Sequence, residues 1–267
     1  MQYNRVLTIA GSDSGGGAGI QADIKAISAA GVFAASAITA VTVQNTVGVE
    51  AVHPIPLDII EGQIAAVLSD IGADAVKIGM MHSAEVIDVV ACQLDKFALH
   101  NVVLDPVMVA TSGHRLIEES AIEALKKVLI PRARVITPNI PEAEILAGVK
   151  IQSQSQLPEI ARQLSLDGRV SVLLKAGHLT DDELIDIFYN AETDEIIELR
   201  SKRLSTQNTH GTGCTLSSSL AAMLAKGMDL SDAVRAAKDY INSAIISGAR
   251  YEIGKGHGPV DHFWAYR

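Results

Sequence analysis

The chain has only two cysteines in 267 residues, Cys92 and Cys214. Two thiols make no disulfide framework, which fits a reducing compartment. No C-x-x-C or H-E-x-x-H segment occurs, and none of the eight histidines has metal-ligand spacing with another. Aromatic residues are 4% of the chain, with a single tryptophan, so the core must be built from aliphatic side chains. No apolar run reaches membrane-spanning length, because small polar residues and charges interrupt each one. The opening segment, MQYNRVLTIAGSD, has no long apolar signal core and passes straight into a strand-like run. A soluble, cytoplasmic protein is expected. Positive charge is scarce: 22 Lys and Arg against 31 Asp and Glu give a formal net charge of −9. An acidic surface repels phosphate backbones, so neither nucleic acid nor membrane is an expected partner. A small phosphorylated ligand, held locally by backbone amides and a lysine, is still allowed.

What is present is ordinary globular composition, 48% hydrophobic and 20% charged, in a length that suits one α/β domain over 1–267. Strand-like and helix-like segments alternate. Arg5–Ala10 reads as a buried strand, Gly11–Gly19 as a glycine-rich turn, and Ile20–Ala30 as a helix closed by Gly31. Val32–Val43 reads as one or two strands. Leu57–Asp70 carries apolar residues at helical spacing, among them Ile60, Ile64, Val67 and Leu68. Strands are expected at Ala73–Ile78, Asn101–Leu104, Arg134–Ile136 and Val170–Leu174. Helices are expected at Ala84–Phe97, Glu118–Val128, Glu142–Ala147, Leu157–Leu166, Cys214–Ala225 and Ser231–Arg250. Leu184–Tyr189 and Glu195–Leu199 look like an antiparallel pair. The alternation predicts a mainly parallel, doubly wound sheet with an antiparallel edge and no internal repeat. In open α/β sheets ligands bind outside the carboxyl ends of the strands, so the residues just after each strand are the candidates.

The first such turn, Gly11–Gly19, fits neither a dinucleotide fingerprint nor a P-loop. It is either a place where backbone approaches a ligand or a plain tight turn. His210-Gly211-Thr212-Gly213-Cys214 enters a long apolar helix, and its free amides and helix dipole make an anion site, or else a glycine-rich cap. Cys214 falls in the first turn of that helix, where the dipole favours a thiolate. Its alternative is a small buried hydrophobe, the reading that also suits Cys92. Asp105 and Glu142 follow neighbouring strands and can organise Mg²⁺ and its waters. Asn139 can hydrogen-bond phosphate, and Lys175 can neutralise it as a point charge. Each alone is commonly a capping or surface group; the shared position at the strand ends singles them out. His53, His82, His100, His114 and His262 read as surface or satisfied residues, while His178 and His210 lie in ligand-facing loops without a role.

In order along the chain, LTIAGSDSGGGAGIQADIK (7–25), ITAVTVQNTVGV (38–49), KIGM (77–80), VVLDPVM (102–108), TPNIPEAEIL (137–146), LLKAGH (173–178), NTHGTGCTLSS (208–218) and GKGHGPV (254–260) resemble the ribokinase-like superfamily. They are most similar to its hydroxymethylpyrimidine/phosphomethylpyrimidine kinase branch, of thiamin biosynthesis, along the whole chain. The resemblance implies a three-layer α/β/α fold, usually homodimeric, and ATP-dependent phosphorylation of a pyrimidine alcohol and then of its monophosphate. It implies that Gln44 reads the pyrimidine edge and that Asp23 and the backbone near Gly11 and Val43 line the same pocket, with Met80 and Val107 against the ring. It implies that Asp105, Asn139, Glu142, Lys175 and Thr212 serve ATP and Mg²⁺, and that Gly211, Gly213 and Cys214 form the anion hole. Cys214 stands where most of the superfamily has an aspartate base, and Ser14-Gly15 replaces a common Pro-Ser. Two rivals are a pyridoxal-type kinase of the same superfamily, since pyridoxine also carries a hydroxymethyl group on a methylated heteroaromatic ring, and a non-catalytic metabolite-binding protein.

Overall fold

Leu7 and Ile9 alternate with Val6 along the first strand, and all three are fully buried, on opposite faces of one sheet. A strand buried on both faces must lie inside a parallel sheet covered by helices. The computed structural model describes residues 3–108, 117–179 and 181–267. Among these residues nine strands form one sheet: β1 (Arg5–Ser12), β2 (Phe33–Gln44), β3 (Val49–Pro54), β4 (Ala75–Ile78), β5 (Val102–Leu104), β6 (Val135–Ile136), β7 (Ser171–Leu174), β8 (Glu183–Asn190) and β9 (Glu195–Lys202). Their order is β3-β2-β1-β4-β5-β6-β7-β8-β9. The six from β2 to β7 pair in parallel, and β3 at one end and β8–β9 at the other pair antiparallel.

Among the described residues eight α-helices cover the faces: α1 (Gly19–Ala29), α2 (Leu57–Asp70), α3 (Ala84–Lys96), α4 (Glu119–Ala124), α5 (Ile140–Ala147), α6 (Leu157–Leu164), α7 (Thr212–Ala225) and α8 (Leu230–Gly248). α1, α7 and α8 pack together against one face; α2 to α6 cover the other. No helix among the described residues is long and apolar enough to cross a membrane. The three-layer architecture and the late antiparallel pair are as the sequence pattern implies. Gly31, at φ +73°, closes α1 just past its cap.

Two segments differ from the sequence reading. β3 was not foreseen, because its side chains are mostly exposed and show no apolar period. The helix expected over Glu118–Val128 is α only to Ala124 and continues as a π turn over Leu125–Leu129.

Candidate active site

The strand order brings the carboxyl ends of β1, β4, β5, β6 and β7 side by side, and a cleft of about 640 Å³ opens above them. At one end it is lined by Gly11, Gln44, Met80 and Val107. A Cβ at Gly11 would stand 3.0 Å from the Met80 sulfur, so the two are in contact range. At the other end lie Leu184, Arg203, Asn242 and the buried Lys238, whose Nζ donates to Asp186 Oδ2 at 2.7 Å. A second cleft of about 690 Å³ lies at the amino ends of β5 and β6, but its arginines, Arg132 and Arg134, are already paired with Asp95 and Glu192.

The middle of the main cleft belongs to α7. Its cap, Gly211, sits at φ +77°, and a Cβ there would fall within 1.8 Å of the Gly17 carbonyl oxygen. Only glycine permits both that conformation and that approach. No side chain caps the helix, so the first-turn amides of Gly213 and Cys214 face the cleft without an intrahelical acceptor. A Cβ at Gly213 would lie 3.2 Å from Lys175 Nζ and 3.5 Å from Asp105 Oδ2. The helix terminus therefore meets the β5 and β7 ends at a single place, and Thr212 lines the cleft beside it.

Lys175 Nζ donates to Asp105 Oδ1 at 3.0 Å, and Thr137 Oγ1 donates to the same oxygen at 2.9 Å. Burial alone would raise Asp105 and lower Lys175, but each holds the other in its charged form, with Lys77 helping Asp105 and Glu142 helping Lys175. Glu142 and Asn139 form a capping box at the start of α5: Asn139 Oδ1 accepts from the Glu142 amide at 3.0 Å and Glu142 Oε2 from the Asn139 amide at 2.8 Å. Both also line the cleft. Burial, reinforced by the Asp105 charge, pushes the Glu142 carboxyl up to about 7. Among the described residues no three His, Cys, Asp or Glu side chains converge as a metal cluster. The pair Asp105 and Glu142 instead fits an ion that keeps waters and phosphate oxygens as its other ligands, and a buried acid this reluctant to ionise is one that an added cation would relieve.

Two expectations need correction. Asp23 does not line the cleft. It is fully buried, where Thr8 Oγ1 and Lys77 Nζ donate to its Oδ2 at 2.6 and 2.9 Å and Ser218 Oγ donates to its Oδ1 at 2.6 Å. Val43 turns its side chain away, 54% exposed, as strand alternation requires when Thr42 and Gln44 face the cleft, so only its backbone can border the pocket. Cys214 is not poised as a thiolate. Burial raises it to about 11, with Asp23 and Asp105 adding to the rise, and this outweighs Lys77 and the Gly19 amide that donates to its sulfur. Desolvation defeats the helix dipole here.

Two features escaped the sequence reading. Lys77 is a fully buried lysine beneath the cleft, held charged by Asp23 against the cost of burial. Its signal was a charge inside the apolar run of β4, which demands a partner. His210 is buried and its Nε2 lies 2.9 Å from Asp13 Oδ2, which clips the two glycine loops together. His178 lines the cleft. His262 is satisfied by Thr215 at 3.1 Å and pushed down to about 4 by burial, while His82 Nδ1 is buried without a hydrogen-bond partner among the described residues; His114 lies outside them.

A helix terminus for anions, a lysine and two carboxylates set between an apolar pocket and an open groove are what a small-molecule phosphotransferase needs, and the three-layer α/β/α architecture is the ribokinase-like fold. The chain belongs to the phosphomethylpyrimidine kinase family, which it matches over residues 13–261. A hydroxymethylpyrimidine/phosphomethylpyrimidine kinase of Rhizobium meliloti is 49% identical over 258 residues, 96% of each chain. The phosphomethylpyrimidine kinase of Clostridium difficile superposes with a TM-score of 0.79 at 44% identity, over 90% of this chain and 99% of that one. A pyridoxal kinase of Staphylococcus aureus, solved in complex with AMP-PCP and pyridoxal, superposes with a TM-score of 0.90 at 33% identity, over 99% and 95%.

Proposed function

We propose that this kinase moves the γ-phosphoryl group of ATP onto the hydroxymethyl oxygen of 4-amino-5-hydroxymethyl-2-methylpyrimidine, and then phosphorylates the monophosphate to the diphosphate, in thiamin biosynthesis. The observation that carries the reading is the meeting of the uncapped α7 terminus with Lys175 and Asp105, midway between the Gln44 pocket and the groove beside Lys238. The pyrimidine packs on Met80 and Val107, with Gln44 at its polar edge. ATP lies in the groove and its γ-phosphate reaches the amides of Gly213 and Cys214. Those amides and Lys175 hold the charge that spreads over the phosphoryl oxygens in transfer. Asp105 and Glu142 would hold Mg²⁺, which neutralises phosphate charge when bound.

Cys214 works as a neutral thiol. With its pKa raised to about 11, the thiol is overwhelmingly protonated at pH 7. A loose transition state needs little help from a base, because the alcohol proton leaves late. The thiol positions the alcohol under the helix terminus rather than ionising it. We also place the protein in the cytoplasm as a homodimer; Val41, Val43 and Val47, 44 to 67% exposed along the β2–β3 edge, favour a covered surface there.

The test is product identification by mass spectrometry after incubation with ATP, Mg²⁺ and the pyrimidine alcohol. Appearance of the mono- and then the diphosphate supports the reading; an unchanged alcohol with intact ATP would sink it. The close superposition on a pyridoxal kinase favours dual use as a second reading. Turnover of pyridoxine beside the pyrimidine alcohol decides it.

A further inference from the structure

The side-chain amide of Gln44 stands between two hydrogen-bonding groups. On one side the Thr42 hydroxyl lies 3.1 Å from Gln44 Oε1. On the other, His210 Nε2 lies 3.4 Å from Gln44 Nε2. Each contact conflicts with a stronger neighbour. The Thr42 hydroxyl has one proton, and the Ser12 carbonyl oxygen at 2.7 Å takes it. Toward Gln44 the hydroxyl can then only accept, so an amide oxygen there faces a lone pair. His210 Nε2 lies 2.9 Å from a carboxylate oxygen of Asp13, which also accepts from the amides of Gly17 and Ala18 at 3.0 and 2.8 Å. Those two amides, with the Gly15 amide on the other carboxylate oxygen at 2.8 Å, hold the carboxylate ionised, so Nε2 must carry a hydrogen toward it. An amide nitrogen facing the same Nε2 meets a donor with a donor.

One exchange removes both conflicts. The oxygen and nitrogen of a glutamine amide are alike in shape, and the surrounding network decides which is which. We infer that Asp13, His210 and Thr42 are positioning residues that fix the Gln44 amide with its nitrogen toward Thr42 and its oxygen toward His210. Thr42 then donates to Ser12 and accepts from Gln44 Nε2, and the His210 Nε2 hydrogen is shared between Asp13 and Gln44 Oε1. The backbone of Gln44 is held as well, since Ser14 Oγ accepts from its amide at 2.9 Å and donates to its carbonyl oxygen at 2.7 Å.

The consequence is an order of reading. Gln44 keeps one lone pair on the His210 side and one N–H on the Thr42 side for a ligand in the cleft. The ring edge that fits presents an exocyclic amino group toward His210 and a ring nitrogen toward Thr42. This deepens the pyrimidine-alcohol reading and rests on it. The donor that fixes the order, His210, directly precedes Gly211, the cap of the helix that carries the Gly213 and Cys214 amides.

Two measurements test this. Neutron diffraction from ligand-free crystals exchanged into D₂O should show the Gln44 ND₂ group toward Thr42 and a deuteron on His210 Nε2. The reverse amide orientation, or a bare Nε2, overturns the inference without reference to any substrate. In kinetics, His210→Leu should raise KM for the aminopyrimidine alcohol by about 10- to 100-fold, the cost of an unmatched buried polar group. KM for ATP should stay within about twofold, since that lysine-and-amide site is untouched. His210→Gln can place an N–H where Nε2 stood and should restore KM to within about threefold. The preference for the aminopyrimidine over its analogue with hydrogen in place of the amino group should fall in the leucine variant and return in the glutamine variant. Equal loss on ATP and both alcohols, with no rescue by glutamine, would reduce His210 to a loop latch. A wild-type protein inert toward the aminopyrimidine alcohol would refute the substrate reading alone, and the neutron map would still decide the amide.

Discussion

Two lysine–aspartate pairs of nearly equal geometry lie at the carboxyl ends of the strands. Lys77 and Asp23 are 2.9 Å apart and both side chains are wholly inaccessible; Lys175 and Asp105 are 3.0 Å apart and Lys175 keeps 14% of its surface. The inner pair is closed: both Asp23 oxygens are taken, by Thr8, Lys77 and Ser218, from β1, β4 and α7. It fastens the first strand and two helices beneath the cleft. The outer pair is open. Among the described residues Asp105 Oδ2 has only Ser217, at 3.5 Å, and Lys175 lines the cleft with donors to spare. The same ion pair is a fastening where nothing can reach it and a phosphate site where a ligand can.

The strongest way to break this contrast is Lys77→Met. It leaves Asp23 buried without its cation, and urea unfolding at neutral pH should show a loss of about 3–5 kcal/mol. Adding Asp23→Asn should recover part of it. A loss under about 1 kcal/mol would mean the inner pair fastens nothing, placing it among weak pairs such as those at the surface.

Next is Lys175→Met. Turnover should fall by about 10²–10³-fold, the range for removing one group that stabilises charge in the transition state. The stability loss in the same urea experiment should be smaller than for Lys77→Met. Equal destabilisation by the two variants would erase the difference between the pairs.

The contrast also shows what could be read from sequence. Asp105, Lys175 and Gly211–Cys214 each follow a strand or open a helix, and alternation of elements was enough to bring them together. The apolar runs of β1, β4 and β5 marked the sheet centre for the same reason. The inner pair joins residues 54 positions apart across the sheet, and Asp13–His210 joins residues 197 apart. Such partners depend on strand order, which local pattern does not carry. Asp23 was misplaced because its segment, AGIQAD, borders the pocket while its side chain points beneath it. Cys214 was misjudged because the dipole is visible in a sequence and desolvation is not.

A smaller effect is expected at Cys214, which lies between the two pairs. A general base contributes about 10²–10⁴-fold, whereas a neutral positioning thiol should cost about tenfold or less when removed. Cys214→Ala should therefore keep at least about a tenth of the turnover at saturating substrates. A fall beyond a hundredfold would restore the thiolate as base and require that substrate binding lower its pKa.

The smallest effect uses the same thiol as a probe of the field between the pairs. Lys77 favours the thiolate; Asp23 and Asp105 oppose it, and burial opposes it most. With Cys92, which is exposed rather than the buried hydrophobe its helix position suggests, replaced by serine, Cys214 is the remaining thiol. Its alkylation by iodoacetamide should rise about tenfold per pH unit from 7 to 10 without a plateau, because the thiolate fraction is still climbing toward a pKa near 11. Asp105→Asn removes a negative charge that repels the thiolate and leaves Lys175 without its partner. Both changes favour ionisation, so the pKa falls and the whole profile moves to lower pH, by up to about one unit, or 1.4 kcal/mol. The inner pair is untouched by this variant, so the shift measures the outer pair alone. A shift to higher pH would mean that Asp105 does not act on Cys214 through its charge. A plateau near pH 8 in the unsubstituted site would mean that the helix terminus, not burial, sets the thiol.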